Sequence, residues 1–354
     1  MTWIVLACGV GLLSWWLTDW LAGKASTFGP IDRPNERSLH RLPTPRTGGV
    51  AIVVSALLGV IAWSIIVRWT DEESALALNH FPEMIWILGG SLFLAGISFL
   101  DDREELPVWI RFGCHGIAAC GVIFGAKVAV HSLALPGIGA IELGWAAFPL
   151  TLAFLLWMTN LYNFMDGMDG FAGGMTVVGF GLMGYLFWIG DQPVVSGIAM
   201  FQAAAAVGFL LHNFPPARIF MGDVGSISTG FLAGSLAVLG SREKIFDLWV
   251  PLLVFSPFIL DATVTLLRRS LRRERLWRAH REHYYQRLVL SGWSHRRTVL
   301  AEYAVMGACG LLALLYHAAA ERQRLIILGV WAGLFLALAG LVNRLEEGAK
   351  GRVV

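Results

Sequence analysis

Asn160-Leu161-Tyr162-Asn163-Phe164-Met165-Asp166-Gly167-Met168-Asp169-Gly170-Phe171-Ala172-Gly173-Gly174 lies between two apolar runs, Trp145 to Trp157 and Met175 to Ile189. Two carboxylates and two amides therefore sit where one membrane-crossing segment gives way to the next. Desolvating an ionisable group at that depth is costly, so acids kept there point to function. Asp166 and Asp169 are three residues apart, a spacing that would put both on one face of a helix. Gly167, Gly170, Gly173 and Gly174 let backbone approach a ligand closely. Hard oxygen donors beside open backbone suit Mg²⁺ carrying a phosphorylated substrate. The plain alternative is a glycine-rich turn whose Asn and Asp cap the flanking helices.

The chain around this stretch has the make-up of a bilayer protein. Of 354 residues, 56% are hydrophobic and 15% charged, and the mean hydropathy is +0.64; soluble domains carry about 25% charged residues. Apolar runs long enough to cross a bilayer, roughly 17–25 residues, occur near 3–21, 49–67, 84–100, 108–126, 145–163, 171–189, 193–212, 227–240, 248–267, 299–316 and 325–342. The run at 227–240 is short and must borrow flanking residues. The expected fold is an all-α polytopic membrane protein of about eleven transmembrane helices, one integral membrane domain over residues 1–354. The first run has no basic segment before it and no small-residue cleavage site after it, so it reads as a retained span. Cys8, Cys114, Cys120 and Cys309 all fall in apolar runs without metal or disulfide spacing and read as small buried hydrophobes. No nucleic-acid partner is expected.

Lys and Arg set the expected orientation. With the N-terminus outside, the inner segments 22–48, 101–107, 212–226, 268–298 and the tail, together with Arg111, hold 21 of the 27 Lys and Arg. The outer loops keep Arg68, Lys127, Arg242, Lys244, Arg322 and Arg324 and receive Asp71-Glu72-Glu73. This predicts N-out, C-in, with the polar motifs gathered on the cytoplasmic side. The Arg-dense run 268–281 has a second reading as an anchor against anionic headgroups.

Four further constellations lie on that side. Asp101-Asp102 end the third run, and adjacent carboxylates repel unless a cation such as a divalent metal or Arg103 neutralises them. In Asn213-Phe-Pro-Pro-Ala-Arg-Ile-Phe220-Met-Gly222-Asp223-Val-Gly225-Ser226, a turn opening a helix offers free amides to a phosphate, and Asp223 offers a metal ligand. Phe220 reads as packing, or as a surface on which a base stacks. His280-Arg281-Glu-His283 would put two His on one helix face to grip a diphosphate; no third ligand is spaced for zinc. Arg46 and Arg111 are further phosphate candidates, and Asp261 is an acid inside the ninth run.

The ordered set Pro43-Thr-Pro-Arg46-Thr-Gly-Gly49, Asp101-Asp102, Asn160 to Gly170, Phe220-Met-Gly-Asp223-x-Gly-Ser226 and His280-x-x-His283 resembles the polyprenyl-phosphate N-acetylhexosamine-1-phosphate transferases, over residues of about 32–290. The eleven runs are closest in pattern to the branch that initiates O-antigen synthesis. The three-His motif of the muramoyl-pentapeptide branch is replaced by His280-Arg281-Glu282-His283, which favours a simpler UDP-N-acetylhexosamine. The resemblance implies that Asp223 is a Mg²⁺ ligand, with Asp101 and Asp102 at the metal-bearing catalytic centre and Asn163 and Asp166 lining it. Asp169, Asn213 and Phe220 would hold uridine, and Arg46, Arg111, His280, Arg281 and His283 the phosphates. Mn²⁺ would substitute for Mg²⁺.

On that resemblance the reaction moves a sugar 1-phosphate from a UDP-sugar to polyprenyl (undecaprenyl) phosphate with release of UMP, in the bacterial inner membrane. The other expected partner is a second copy of the chain in a homodimer. A phosphate monoester has a second pKa near 6, so the acceptor needs no strong base and direct attack is preferred. An aspartyl-phosphate at Asp101 or Asp102 is the alternative route. The rival class is a transporter of nucleotide sugar or lipid-linked sugar, which tends to place its polar site near mid-membrane. A CDP-alcohol phosphotransferase fails because Phe171-Ala-Gly-Gly174, not Ala-Arg, follows the Asp-x-x-Asp-Gly.

Overall fold

The structure is a computed structural model that describes residues 2–23, 31–32, 43–69, 81–104, 106–275 and 280–350. The acidic 71–73 segment and part of the 268–281 basic run lie outside the described residues. In hydrocarbon a segment must satisfy its own backbone groups, so the apolar runs become helices. These are α1 (Thr2–Gly23), α2 (Gly48–Trp69), α3 (Phe81–Glu104), α4 (Val108–Cys120, continued by a π-turn over Gly121–Gly125), α5 (Ala147–Met165), α6 (Phe171–Ile189), α7 (Pro193–Asn213), α8 (Gly222–Arg242), α9 (Trp249–Val254), α10 (Ser256–Leu271), α11 (Tyr284–Leu290), α12 (His295–Ala318) and α13 (Glu321–Lys350). Two short antiparallel pairs complete it: β1 (Ile31–Asp32) with β2 (Thr44–Pro45), and β3 (Ser132–Leu135) with β4 (Gly139–Glu142).

Ten helices among the described residues are long and apolar enough to cross a membrane, against the eleven expected. The difference is the run near 248–267, which is two short helices rather than one. Phe255 ends the first, and Pro257 stands in the first turn of the second, where its missing N–H is tolerated. The short run at 227–240 does borrow its flank. Its helix α8 begins at Gly222, so Gly222-Asp223-Val-Gly225-Ser226 is a first helical turn rather than a loop before one.

Helix α8 is the axis of the bundle. It packs against α2, α3 and α5 and is buried along nearly its whole length. Its glycines and serines permit this, since small side chains let neighbouring backbones close in. At the crossing with α2, a Cβ on Gly49 would collide with the backbone of Gly225. Gly49→Ala should therefore destabilise the protein by about 3 kcal/mol, the range of overpacked cores, read as a lower melting temperature in detergent. A melting temperature equal to wild type would show that the two helices can separate without loss. At the far end of α8, Arg242 donates to Glu83 Oε1 (3.0 Å) and to the carbonyls of Ala126 and Lys127, 3.3 and 3.2 Å away. This ties the end of α8 to the start of α3 and the end of α4, so the opposite ends of all three meet at the other face. The acidic motifs sit there. Helix α13, by contrast, is almost unburied and lies at the edge of the bundle.

Candidate active site

Arg46 stands at the centre of the acidic end. The Phe220 amide donates to Pro45 O at 2.8 Å, and the amides of Gly48 and Gly49 donate to the carbonyls of Phe220 and Met221 at 2.9 and 2.8 Å. These bonds staple the segment carrying Arg46 onto the residues that open α8. The corner is Gly222, at φ +71°, where a Cβ would run into the Arg46 carbonyl; only glycine closes it. The Gly222 amide donates to Asp166 Oδ2 at 3.1 Å. One residue on, Asp223 Oδ1 accepts from Asn163 Nδ2 at 2.9 Å and from the Arg46 guanidinium at 3.4 Å. Asn163 Nδ2 also reaches Ser226 Oγ at 3.1 Å, so one amide fixes both Asp223 and the next turn of α8.

Asp102, Asp32 and Asp166 join Asp223 in acting electrostatically on Arg46. Burial disfavours the Arg46 charge, and the four acids outweigh it, so its pKa stands above the ordinary value. Burial likewise pushes the Asp166 carboxyl well above the usual carboxylate range, with Arg46 pulling the other way and Asp223 and Asp32 adding to the rise. Four acids crowded around one guanidinium repel one another, which adds to the reluctance of Asp166 to ionise, and a bound cation would relieve the repulsion. Among the described residues no three His, Cys, Asp or Glu form a ready-made metal cluster. Mg²⁺ is commonly held by one or two carboxylates together with substrate phosphates, so the donor chemistry fits an ion that arrives with a diphosphate.

The two adjacent acids part company. Successive helical residues point about 100° apart. Asp101 Oδ2 accepts from Arg111 at 2.9 Å and its Oδ1 from the Leu106 amide at 2.7 Å, which closes the turn from α3 to α4. Arg111 is thereby paired with Asp101, and Arg103 turns back over the Phe99 ring, 4.5 Å from its centroid. Of the pair, Asp102 is the one that acts electrostatically on Arg46.

Asp166 and Asp169 do not share a helix face. Helix α5 ends at Met165, and Asp169 falls in the turn that follows, because glycine at 167 and 170 favours a turn. Asp169 Oδ2 accepts from the Ala217 amide at 3.0 Å and lies 3.5 Å from His295 Nδ1. Asn213 accepts from the Gly170 amide at 2.9 Å and donates to Ile219 O at 2.8 Å. These two side chains brace the 166–170 turn against the 213–222 loop. Phe220 is half-buried beside it.

The His/Arg segment is not helical at His280 and Arg281; α11 starts at Tyr284, with His283 at its N-cap. A partner in the membrane region dictates this. Asp261 on α10 accepts from the amides of Tyr284 (2.9 Å) and Tyr285 (3.3 Å) and lies 3.1 Å from His283 Nδ1, an anion placed on a helix N-terminus. Burial, with His283 and Arg269 nearby, lowers the His280 pKa to about 4. His280 is therefore neutral near pH 7, and any hold on a phosphate is that of a neutral imidazole rather than a charge-assisted grip. Tyr285 is fully buried against Phe171, ring centroids 5.0 Å apart, and its phenol abuts Gly167. The segment thus packs onto the turn that carries Asp166. Arg281, partly buried, faces a separate cavity beside α11.

Sequence reasoning missed Asp32, His295 and His115, the last 3.4 Å from Asn160 Nδ2. Asp32 had one available signal: it is an acid at the head of a stretch where Arg33, Arg37, Arg41 and Arg46 follow, with Glu36 the one other acid among them.

Fold and site together define a multi-pass membrane protein with an acid-rich, arginine-centred cluster at one end of its bundle. Comparison with known proteins agrees. The pattern of glycosyl transferase family 4 matches residues 84–241. A probable undecaprenyl-phosphate N-acetylglucosaminyl 1-phosphate transferase of Bacillus subtilis is 30% identical over 325 residues, 90% of this chain and 87% of the relative. A decaprenyl-phosphate N-acetylglucosaminephosphotransferase of Mycolicibacterium smegmatis is 30% identical over 368 residues, 96% of this chain and 88% of the relative. A phospho-N-acetylmuramoyl-pentapeptide-transferase of a Synechococcus strain is 36% identical over 284 residues, 74% of this chain and 76% of the relative. The chain belongs to glycosyl transferase family 4 and is a membrane transferase.

Proposed function

We propose that the chain transfers N-acetylhexosamine 1-phosphate from a UDP-sugar to polyprenyl phosphate, releasing UMP, as the first membrane step of a cell-surface polysaccharide, O-antigen among the candidates. The observation that carries the reading is the convergence of Asp102, Asp166 and Asp223 on Arg46 in a member of this family. The relatives named for N-acetylglucosamine favour UDP-N-acetylglucosamine as donor. The departure at His280-Arg281-Glu282-His283 argues against a muramoyl-pentapeptide. The Lys and Arg bias supports a site on the cytoplasmic side, and the bacterial relatives support an inner-membrane location.

An oxygen of the lipid phosphate bonds to the β-phosphorus. The bond from that phosphorus to the bridging oxygen breaks, and UMP leaves with the electron pair. Both reactants are anions, so the barrier is largely repulsion. Mg²⁺, held by Asp223 and Asp102, would neutralise charge on the diphosphate. Arg46 keeps its proton and faces the same charge. Asn163 orients Asp223. Asp169, Asn213 and Phe220 shape the uridine side, and direct attack needs no covalent protein intermediate.

Purified protein given polyprenyl phosphate and UDP-N-acetylglucosamine should release UMP. Chelation should abolish this, and added Mg²⁺ or Mn²⁺ should restore it. No UMP from any UDP-N-acetylhexosamine, together with uptake of labelled nucleotide sugar into proteoliposomes, would replace the transferase with a transporter.

A further inference from the structure

A cavity of about 1450 Å³ lies between α11, the start of α12 and the ends of α10 and α13, and none of the acids around Arg46 lines it. Six of its lining side chains are arginines, against two glutamates. The glutamates are already engaged: Glu282 by Arg272 at 3.1 Å, and Glu346 by Arg287 at 2.5 Å. Arg268 and Arg297 lie over rings instead of carboxylates, 5.1 Å from the Tyr284 centroid and 3.9 Å from that of Trp293. A guanidinium held over an aromatic ring can still present N–H donors to a phosphate. Arg344, exposed on the last turns of α13, completes the wall.

We propose that this cavity binds the phosphate-bearing headgroup of an anionic membrane lipid. Its position argues for lipid. The walls are the ends of two membrane-length helices, α12 and α13, with Trp293, Leu290 and Leu345 among the lining. Indole beside arginine at a helix end is the chemistry of the headgroup layer. The volume is far greater than a phosphate ion needs. The cavity also shares the acidic face of the bundle, because His295, at the start of α12, lies 3.5 Å from Asp169. A headgroup there would bridge α13, otherwise at the edge, to α10 and α11. The proposal does not rest on the transfer reaction and can be tested without turnover.

The test is lipid retention by the full-length protein in native mass spectrometry, with phosphatidylglycerol, phosphatidylcholine and inorganic phosphate as separate probes. Phosphatidylglycerol should bind saturably and phosphatidylcholine should not. Arg268→Gln with Arg344→Gln should weaken phosphatidylglycerol binding by roughly tenfold or more. Arg344→Gln alone, at an exposed position that leaves the fold intact, should weaken it about threefold. Arg322→Gln, at the opposite end of α13, should leave it unchanged. Equal retention of the two lipids, or no loss in the Arg344 variant, overturns the proposal. Displacement of phosphatidylglycerol by excess inorganic phosphate would assign the cavity to a soluble anion and overturn it as well.

Discussion

Asp223→Asn should lower UMP release by about a thousandfold, the scale of removing a charge from a preorganised site for phosphoryl transfer. The substitution is close to isosteric, and the amide oxygen can still accept from Asn163 Nδ2, which now lies 2.9 Å away. The first turn of α8 also keeps its other bonds, from the Gly222 amide to Asp166 and from Ser226 Oγ to Gly222 O. The melting temperature should therefore stay near wild type while the rate collapses. What goes is one negative charge from the group around Arg46, and with it the carboxylate best placed to share a cation with a diphosphate. The loss should fall on kcat and on the concentration of Mg²⁺ needed for half-maximal rate. A variant whose kcat is unchanged, with only KM for the UDP-sugar raised, would move Asp223 from the chemistry to ground-state binding.

The sequence made this residue legible for a local reason. Acid, amide and glycine packed into a few residues between apolar runs mark a site wherever the chain folds, and Asn163, Asp166 and Asp223 were all found that way. What it could not carry was rotation and burial. Which of Asp101 and Asp102 turns toward Arg46 depends on the angle at which α3 meets α8, and no spacing along the chain encodes that. Asp32 sits in an arginine-rich stretch on a two-residue strand, so it acquires meaning only when β2 brings Arg46 to it. His280 reads as half of a cationic pair in one dimension, whereas burial beside Arg269 and His283 removes its charge. The break at Phe255 was hidden inside an apolar run of acceptable length. The overall class was the safest reading, because hydropathy over about 20 residues answers to the thickness of a bilayer and not to any tertiary contact.

The divided roles of the adjacent acids yield the sharpest contrast. Asp102→Asn should retain UDP-sugar binding and lose turnover by about a hundredfold or more, since only the developing charge of the transition state misses the carboxylate. Asp101→Asn should behave in the opposite way. Its side chain is buried, and both its oxygens are engaged by Arg111 and the Leu106 amide. Neutralising it leaves a partly buried guanidinium without its ion partner and weakens the turn between α3 and α4, at a cost of about 2 kcal/mol. Its rate should fall by less than about tenfold, because the geometry around Arg46 is transmitted only through the neighbouring residue. Thermal melting and single-turnover UMP release on the two variants separate the cases. Equal loss of rate with equal stability would mean that both carboxylates reach the diphosphate once substrate is bound, through a rotation of the last turn of α3. A phosphorylated protein trapped in wild type and missing in Asp102→Asn would instead establish double displacement with Asp102 as the nucleophile, the acid of the pair that is not tied to Arg111 and the Leu106 amide.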